Sequence, residues 1–251
     1  MTAPAARLFQ AWTAFGRNDI RGTYREPLMA MLVLAPVIWT VGTAVIVPRL
    51  TTTVARRYDF DLVPYHPLVL TGLLLLTSII VVGGLGAFLI LDELDSGTLP
   101  ALRVTPVPLS SFFGYRAGTV VAVTTGYVVA TMSLSGLLPA GLVLPLIPIG
   151  LVAGLSSVVT MLLIVAVASN KIQGLAMLRL LGLVIAGLPC LAWFVSPPWD
   201  LAFGILPPYW PAKAFWVACA GGVWWPYLVG GVVFNLAAGR PLLRRFIAKN
   251  T

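Results

Sequence analysis

From Ala117 to Asn170 the chain runs for 54 residues without a single Asp, Glu, Lys or Arg. As one helix, at 1.5 Å per residue, that run would extend roughly 80 Å, more than twice the hydrocarbon core of a bilayer. The stretch therefore reads as two membrane crossings that turn at Pro139-Ala140-Gly141. The rest of the composition agrees. Only 10% of the 251 residues are charged and 59% are hydrophobic, where soluble domains carry about 25% charged residues. So little charge cannot cover a water-facing surface. A soluble enzyme, a disordered chain and a nucleic-acid-binding domain are excluded, and the fold class is an all-α polytopic membrane protein. The net charge of +8 is what cytoplasmic loops biased toward Arg and Lys produce.

Spanning takes about 20 apolar residues per helix, and six segments qualify: Leu28–Pro48, Pro67–Leu91, Ala117–Leu138, Leu142–Ser169, Ile172–Val195 and Val223–Gly239. Together with an interfacial segment over residues 1–27 they make one transmembrane domain, residues 1–251. No small-residue cleavage site follows the first arginines, which argues against a signal peptide. Sorting Arg and Lys by the parity of the spans puts twelve on the side of the termini and four, Arg49, Arg56, Arg57 and Lys213, on the other. Both termini are expected in the cytoplasm. Cys190 and Cys219 are too few for a disulfide framework, though a single bridge between them stays open.

The segments between the spans carry the functional signal. At 100° per residue Arg7, Arg17, Arg21 and Arg25 fall within an arc of about 80°, while Leu8, Phe9, Trp12, Phe15, Ile20 and Tyr24 take the other side. That pattern predicts a helix lying on the membrane, its arginines at lipid phosphates. After span two come Asp92, Glu93 and Asp95, the densest acidic cluster in the chain, then Gly97-Thr-Leu-Pro-Ala-Leu-Arg-Val-Thr-Pro106. Thr98 suits an N-cap, and Pro100 is harmless in a first turn. The helix must stop before Thr105-Pro106. It would show Leu99, Leu102 and Val104 beside Arg103. Three acids on the cytoplasmic side oppose the positive-inside bias, and the leucines lack burial without a partner. The segment reads as a docking site for a cytoplasmic protein.

Elsewhere the polar residues are sparse. In Asn170-Lys-Ile-Gln-Gly-Leu-Ala-Met-Leu-Arg179, Gln173 and Arg179 lie in the first turns of span five and are the candidates for a translocation path. Arg179 either snorkels to the headgroups or faces a polar cavity on a translocation path. No acid is embedded in a span, and the one histidine, His66, sits at an outer boundary, so a proton relay is missing. Arg57, Asp59, Asp61 and His66 cluster on the outer side. Acid–base work by a membrane enzyme is conceivable there, although a solvated salt-bridge cluster is the plainer account. The segment Ser196–Trp216, with Trp199, Tyr209, Trp210 and Trp216, is too apolar for a loose loop and too broken by proline to cross. Short helices dipping back into the outer leaflet are expected, as an aromatic belt or a lid. There is no Gly-Lys dipeptide and hence no P-loop. One histidine allows no His-x-x-x-His metal pair. Gly83-Gly84-Leu85-Gly86 points to close helix packing.

This order of features resembles the permease subunits of ABC transporters of the ABC-2 type. The segment Leu91–Pro106 is similar to that family's coupling loop, an acid followed by Gly-Thr-Leu and a terminal Thr-Pro. More narrowly, Phe60-Asp-Leu-Val-Pro-Tyr-His-Pro, Asn170-Lys-Ile-Gln-Gly-Leu-Ala and Pro208-Tyr-Trp-Pro-Ala-Lys-Ala-Phe-Trp resemble permeases of fluoroquinolone export. The resemblance implies a multi-pass protein of the bacterial plasma membrane that pairs with a second permease subunit, a copy or a paralogue. It also implies an ABC ATPase that binds ATP and Mg, with no cofactor or metal on this chain. Leu99, Leu102 and Arg103, with Asp92, Glu93 and Asp95, would then couple to the ATPase. Amphipathic drugs or lipids would move out by alternating access. An ion-gradient-driven transporter is the alternative, and a membrane-embedded enzyme a more distant one.

Overall fold

The computed structural model describes residues 16, 26–96 and 109–250. The regular structure among them is all helical, with no strand. The expected docking helix at Leu99–Val104 and the basic interfacial face of Arg7, Trp12, Arg17, Arg21 and Arg25 lie outside the described residues.

Helix α1 is Pro27–Tyr58. It enters on a proline at its first position, where the missing N–H is no loss, and it outlasts the apolar run by ten residues. Two threonines and two arginines accompany the extension. Thr51 and Thr53 return their hydroxyls to the carbonyls of Val47 and Arg49 at 2.9 and 2.8 Å, and Arg56 and Arg57 sit in the last turn, where the helix dipole favours cations. The helix stops at Asp59, whose φ of 50° is left-handed. Helix α2, Val63–Asp95, is continuous but not uniform. A 3-10 turn (Val63–Tyr65) and an α turn (His66–Leu70) lead into a π turn (Thr71–Leu75) before the regular α stretch Leu76–Asp95.

Helix α3 is Leu109–Leu134 and α4 is Leu146–Val167. Between them the chain turns through Gly136, at φ 71°, and a 3-10 turn at Ala140–Leu142. Helix α5, Lys171–Leu191, is followed by 3-10 turns at Ala192–Phe194 and Trp199–Ile205. Then come α6 (Tyr209–Cys219) and α7 (Trp225–Asn250). Among the described residues five helical stretches are long and apolar enough to cross a membrane: Met29–Tyr58, Val63–Asp95, Phe112–Leu134, Leu146–Val167 and Lys171–Phe194. The last expected span falls on α7, which has the length but whose apolar run is interrupted by Asn235 and Arg240.

Helices α2 and α4 form the centre and are packed on nearly all sides. Two apolar clusters stack along them. One gathers Leu70, Leu74, Leu75, Ile149, Tyr209 and Phe215. The other gathers Phe88, Leu91, Phe112, Met161, Ile164 and Phe246. Lipid is as apolar as leucine, so close backbone approach and interhelical hydrogen bonds hold such a bundle. Both are present. A Cβ on Gly83 would lie 2.8 Å from the Ser157 carbonyl oxygen, and one on Gly154 2.8 Å from the Val121 Cα. Thr124 donates to Ser157 at 2.9 Å, Tyr127 to the Val33 carbonyl at 2.7 Å, and the Trp216 indole to Thr71 at 2.7 Å. By contrast α1 and α5 present apolar side chains outward, among them Met31, Ile38, Leu180 and Leu183. Cys190 and Cys219 are both free thiols, so no bridge joins them.

Candidate functional site

The C-terminal end of α2 meets the N-terminal end of α5, and the charges follow from that. Three acids at a helix C-terminus oppose its dipole, and a lysine at a helix N-terminus does the same. Each unfavourable set is relieved by the other. Lys171, the first residue of α5, places Nζ 2.6 Å from Asp92 Oδ1 and 2.5 Å from Glu26 Oε1, the residue just before α1. The Lys171 backbone N–H, one of the amides a helix start leaves without an internal partner, reaches Asp95 Oδ2 at 3.4 Å. Glu93 turns to the other side. Its Oε1 lies 3.1 Å from Arg116 Nη2, and Arg116 is 1% exposed. The guanidinium also stands over the rings of Phe112 and Tyr115, 5.5 and 5.9 Å from their centroids. Phe113 meets Phe246 edge-on at 5.0 Å, which brings the end of α7 to the same place.

Thus Asp92, Glu93 and Asp95, predicted as one coupling cluster, are gathered at the C-terminal end of α2, and all three have partners within the chain. Leu99, Leu102 and Arg103 of the same prediction lie outside the described residues. Gln173 is engaged at the start of α5: Asn170 accepts from the Gln173 N–H at 2.9 Å, and Gln173 Oε1 accepts from the Ser169 N–H at 2.9 Å. This resembles a capping box, with asparagine as the cap. Arg179 is exposed, six residues further along the same helix. Glu26, Arg116 and Lys171 were missed as site residues. In sequence they read only as charges near span ends, and 145 residues separate Glu26 from Lys171.

At the opposite end of the bundle a second buried cluster sits among the short helices. Asp200, 2% exposed, lies 2.5 Å from Lys213 Nζ and accepts from the Tyr209 hydroxyl at 3.1 Å. Lys213 stands over the Tyr227 ring, 5.9 Å from its centroid. Burial, and then the neighbouring Asp200 carboxylate, hold the Tyr209 phenol far above its ordinary value, so it remains a donor. An acid and a base thirteen residues apart in an otherwise uncharged segment were the available signal for this pair.

A cavity of about 360 Å³ opens between α1 and the first turns of α2, within the range of small-molecule pockets. Trp39, Ile46, Leu50, Tyr65, Val69 and Leu73 line it, and its wall is carbon almost throughout. His66 borders it but is turned to Thr51. The Thr51 hydroxyl donates to the Val47 carbonyl and so accepts from His66 Nε2, at 3.1 Å. Asp61 Oδ1 accepts from the Val63 N–H. Arg57, Asp59, Asp61 and His66 therefore do not form a hydrogen-bonded acid–base set. Among the described residues no group of His, Cys, Asp and Glu has a geometry that holds a metal.

Residues 19–243 match the family described as Fluoroquinolones export permease protein Rv2686c-like. Two relatives from Mycobacterium tuberculosis are 70% identical to the chain over 241 residues, covering 96% of each protein. They are the Fluoroquinolones export permease protein Rv2686c of strain ATCC 25618 / H37Rv and the Fluoroquinolones export permease protein MT2760 of strain CDC 1551 / Oshkosh. No solved structure matches the chain.

Proposed function

The chain belongs to the Rv2686c-like fluoroquinolone export permease family, and on that premise we propose that it is the membrane-spanning subunit of an ATP-driven drug exporter. One observation carries the reading: near-full-length identity to a permease named for fluoroquinolone export. The chain contributes the path and not the fuel. ATP and Mg bind a separate ATPase, which docks on the segment following α2 through Leu99, Leu102 and Arg103, at the cytoplasmic face that also holds both termini. A second permease subunit completes the path, and the outward apolar faces of α1 and α5 supply surface for it and for lipid. Nucleotide drives the change only through differential affinity for inward- and outward-open states.

The test is drug accumulation in cells expressing the chain with its ATPase. Export should stop when the ATPase P-loop lysine is replaced and should survive an uncoupler. Export that ignores the ATPase and fails with the uncoupler would make this a gradient-driven transporter.

The carbon-walled cavity suits the apolar body of an amphipathic drug, and Gly42 gives a clean way to fill it. A Cβ at Gly42, which lines the cavity, meets no atom within 4 Å. Gly42→Leu should therefore fold and reach the membrane in normal amount while export falls at least severalfold. Unchanged export at equal protein level would remove the cavity from the path.

A further inference from the structure

We propose that Lys171 and Arg116 are positioning residues for energy coupling, the first a separable latch and the second a fixed pivot, and that Asp92 and Glu93 act inside the permease and not as contacts to the ATPase. The proposal rests on the ATP-driven reading above.

The two ion pairs differ in kind. Arg116 is buried, its partner Glu93 is 15% exposed, and the guanidinium is sandwiched near two rings. Separating them would break an ion pair in a poorly solvated site, which is strongly unfavourable. The junction of α2 with α3 is thereby held through the cycle. Lys171 is 25% exposed, Asp92 47% and Glu26 38%. Pairs this open to water add little to stability and separate readily, because water takes over both charges. Yet Lys171 joins three segments at once: the entry to α1, the end of α2 and the start of α5. A weak contact shared by three segments is poorly explained as a stability device. It fits one made and broken in each turnover.

The end of α2 at Asp95 is the lever. A push on it pivots α2 about Arg116 and draws Asp92 away from Lys171, which releases α1 and α5, the two helices with the most outward apolar surface. While the latch is closed, the inner ends of α1, α2 and α5 stay together. Asp92 serves this purpose only if its carboxylate faces α5, as it does. Recruiting it to an ATPase contact would cost the pair with Lys171.

The test uses the purified complex of this chain with its ATPase in liposomes, reading ATP hydrolysed per fluoroquinolone moved, with thermal unfolding as a check on folding. Lys171→Met should leave the unfolding midpoint nearly unchanged, raise drug-free hydrolysis and increase ATP used per drug severalfold. Lys171→Arg should keep the ratio normal. Asp92→Asn combined with Glu26→Gln, which neutralises both partners of the lysine, should raise ATP used per drug as Lys171→Met does. A ratio indifferent to Lys171→Met, or one that the combined Asp92→Asn and Glu26→Gln change leaves normal, overturns the latch while leaving the ATP-driven reading intact. Transport that continues with the ATPase omitted overturns that reading itself.

Discussion

Lys213→Met is expected to lower stability by about 3–5 kcal/mol, the range for removing one partner of a buried ion pair. It leaves Asp200, at 2% exposure, with only the Tyr209 hydroxyl. The loss should appear as a large fall in the detergent-solubilised unfolding midpoint, read by the fluorescence of Trp193, Trp210 and Trp216, which pack in the same apolar cluster as Tyr209. The compensating experiment separates charge from packing. Asp200→Asn combined with Lys213→Met removes both charges and should recover most of the midpoint, since a buried pair is worth little against a neutral filling. If the single variant unfolds normally, Asp200 is solvated and the short helices are looser than described. Function should follow stability here. The Trp216 indole donates to Thr71 in the π turn of α2, so these helices are bonded to the central helix. Loosening them disturbs the stretch of α2 that lines the cavity with Val69 and Leu73.

The all-helical polytopic class was legible because the bilayer allows few answers. A chain with 10% charge must satisfy its backbone internally, and helices do so locally. Helix ends were less legible. The apolar run stops at Pro48, but the helix does not, because Thr51 and Thr53 bond to their own backbone and Asp59 accepts the left-handed conformation. Hydropathy sees lipid contact, not hydrogen bonding. The acids at the end of α2 were visible as a cluster that opposes the positive-inside bias. That the partners are Lys171 and Arg116 was not visible, because the pairing depends on which helix ends meet. Sequence separation hid Glu26 in the same way. Gln173 shows the same limit: in sequence it is a polar side chain near a span start, and only the folded geometry reveals its hydrogen bonds to Ser169 and Asn170. The glycine cluster in α2 was legible as a packing signal because helices in lipid have few other means of approaching closely.

Gly154→Ala is the second large effect, and it tests that packing directly. An added methyl would stand 2.8 Å from the Val121 Cα, 2.9 Å from its carbonyl oxygen and 3.0 Å from its side chain. Two of those contacts are backbone, so no rotamer change relieves them and α3 must move away from α4. Overpacking of this kind costs about 1–3 kcal/mol. Here it also stretches the 2.9 Å bond from Thr124 to Ser157 on the same interface. Gly154→Val, with two further carbons against the same backbone, should cost more and leave little folded protein in the membrane. Gly126→Ala in α3 is the matched control. A Cβ there meets nothing within 4 Å, and exchanging a helical glycine for alanine gains up to about 1 kcal/mol. The unfolding midpoints should therefore move in opposite directions. Equal shifts for the two variants would mean that α3 and α4 do not touch backbone to backbone, and the arrangement of helices about α4 would have to be redrawn.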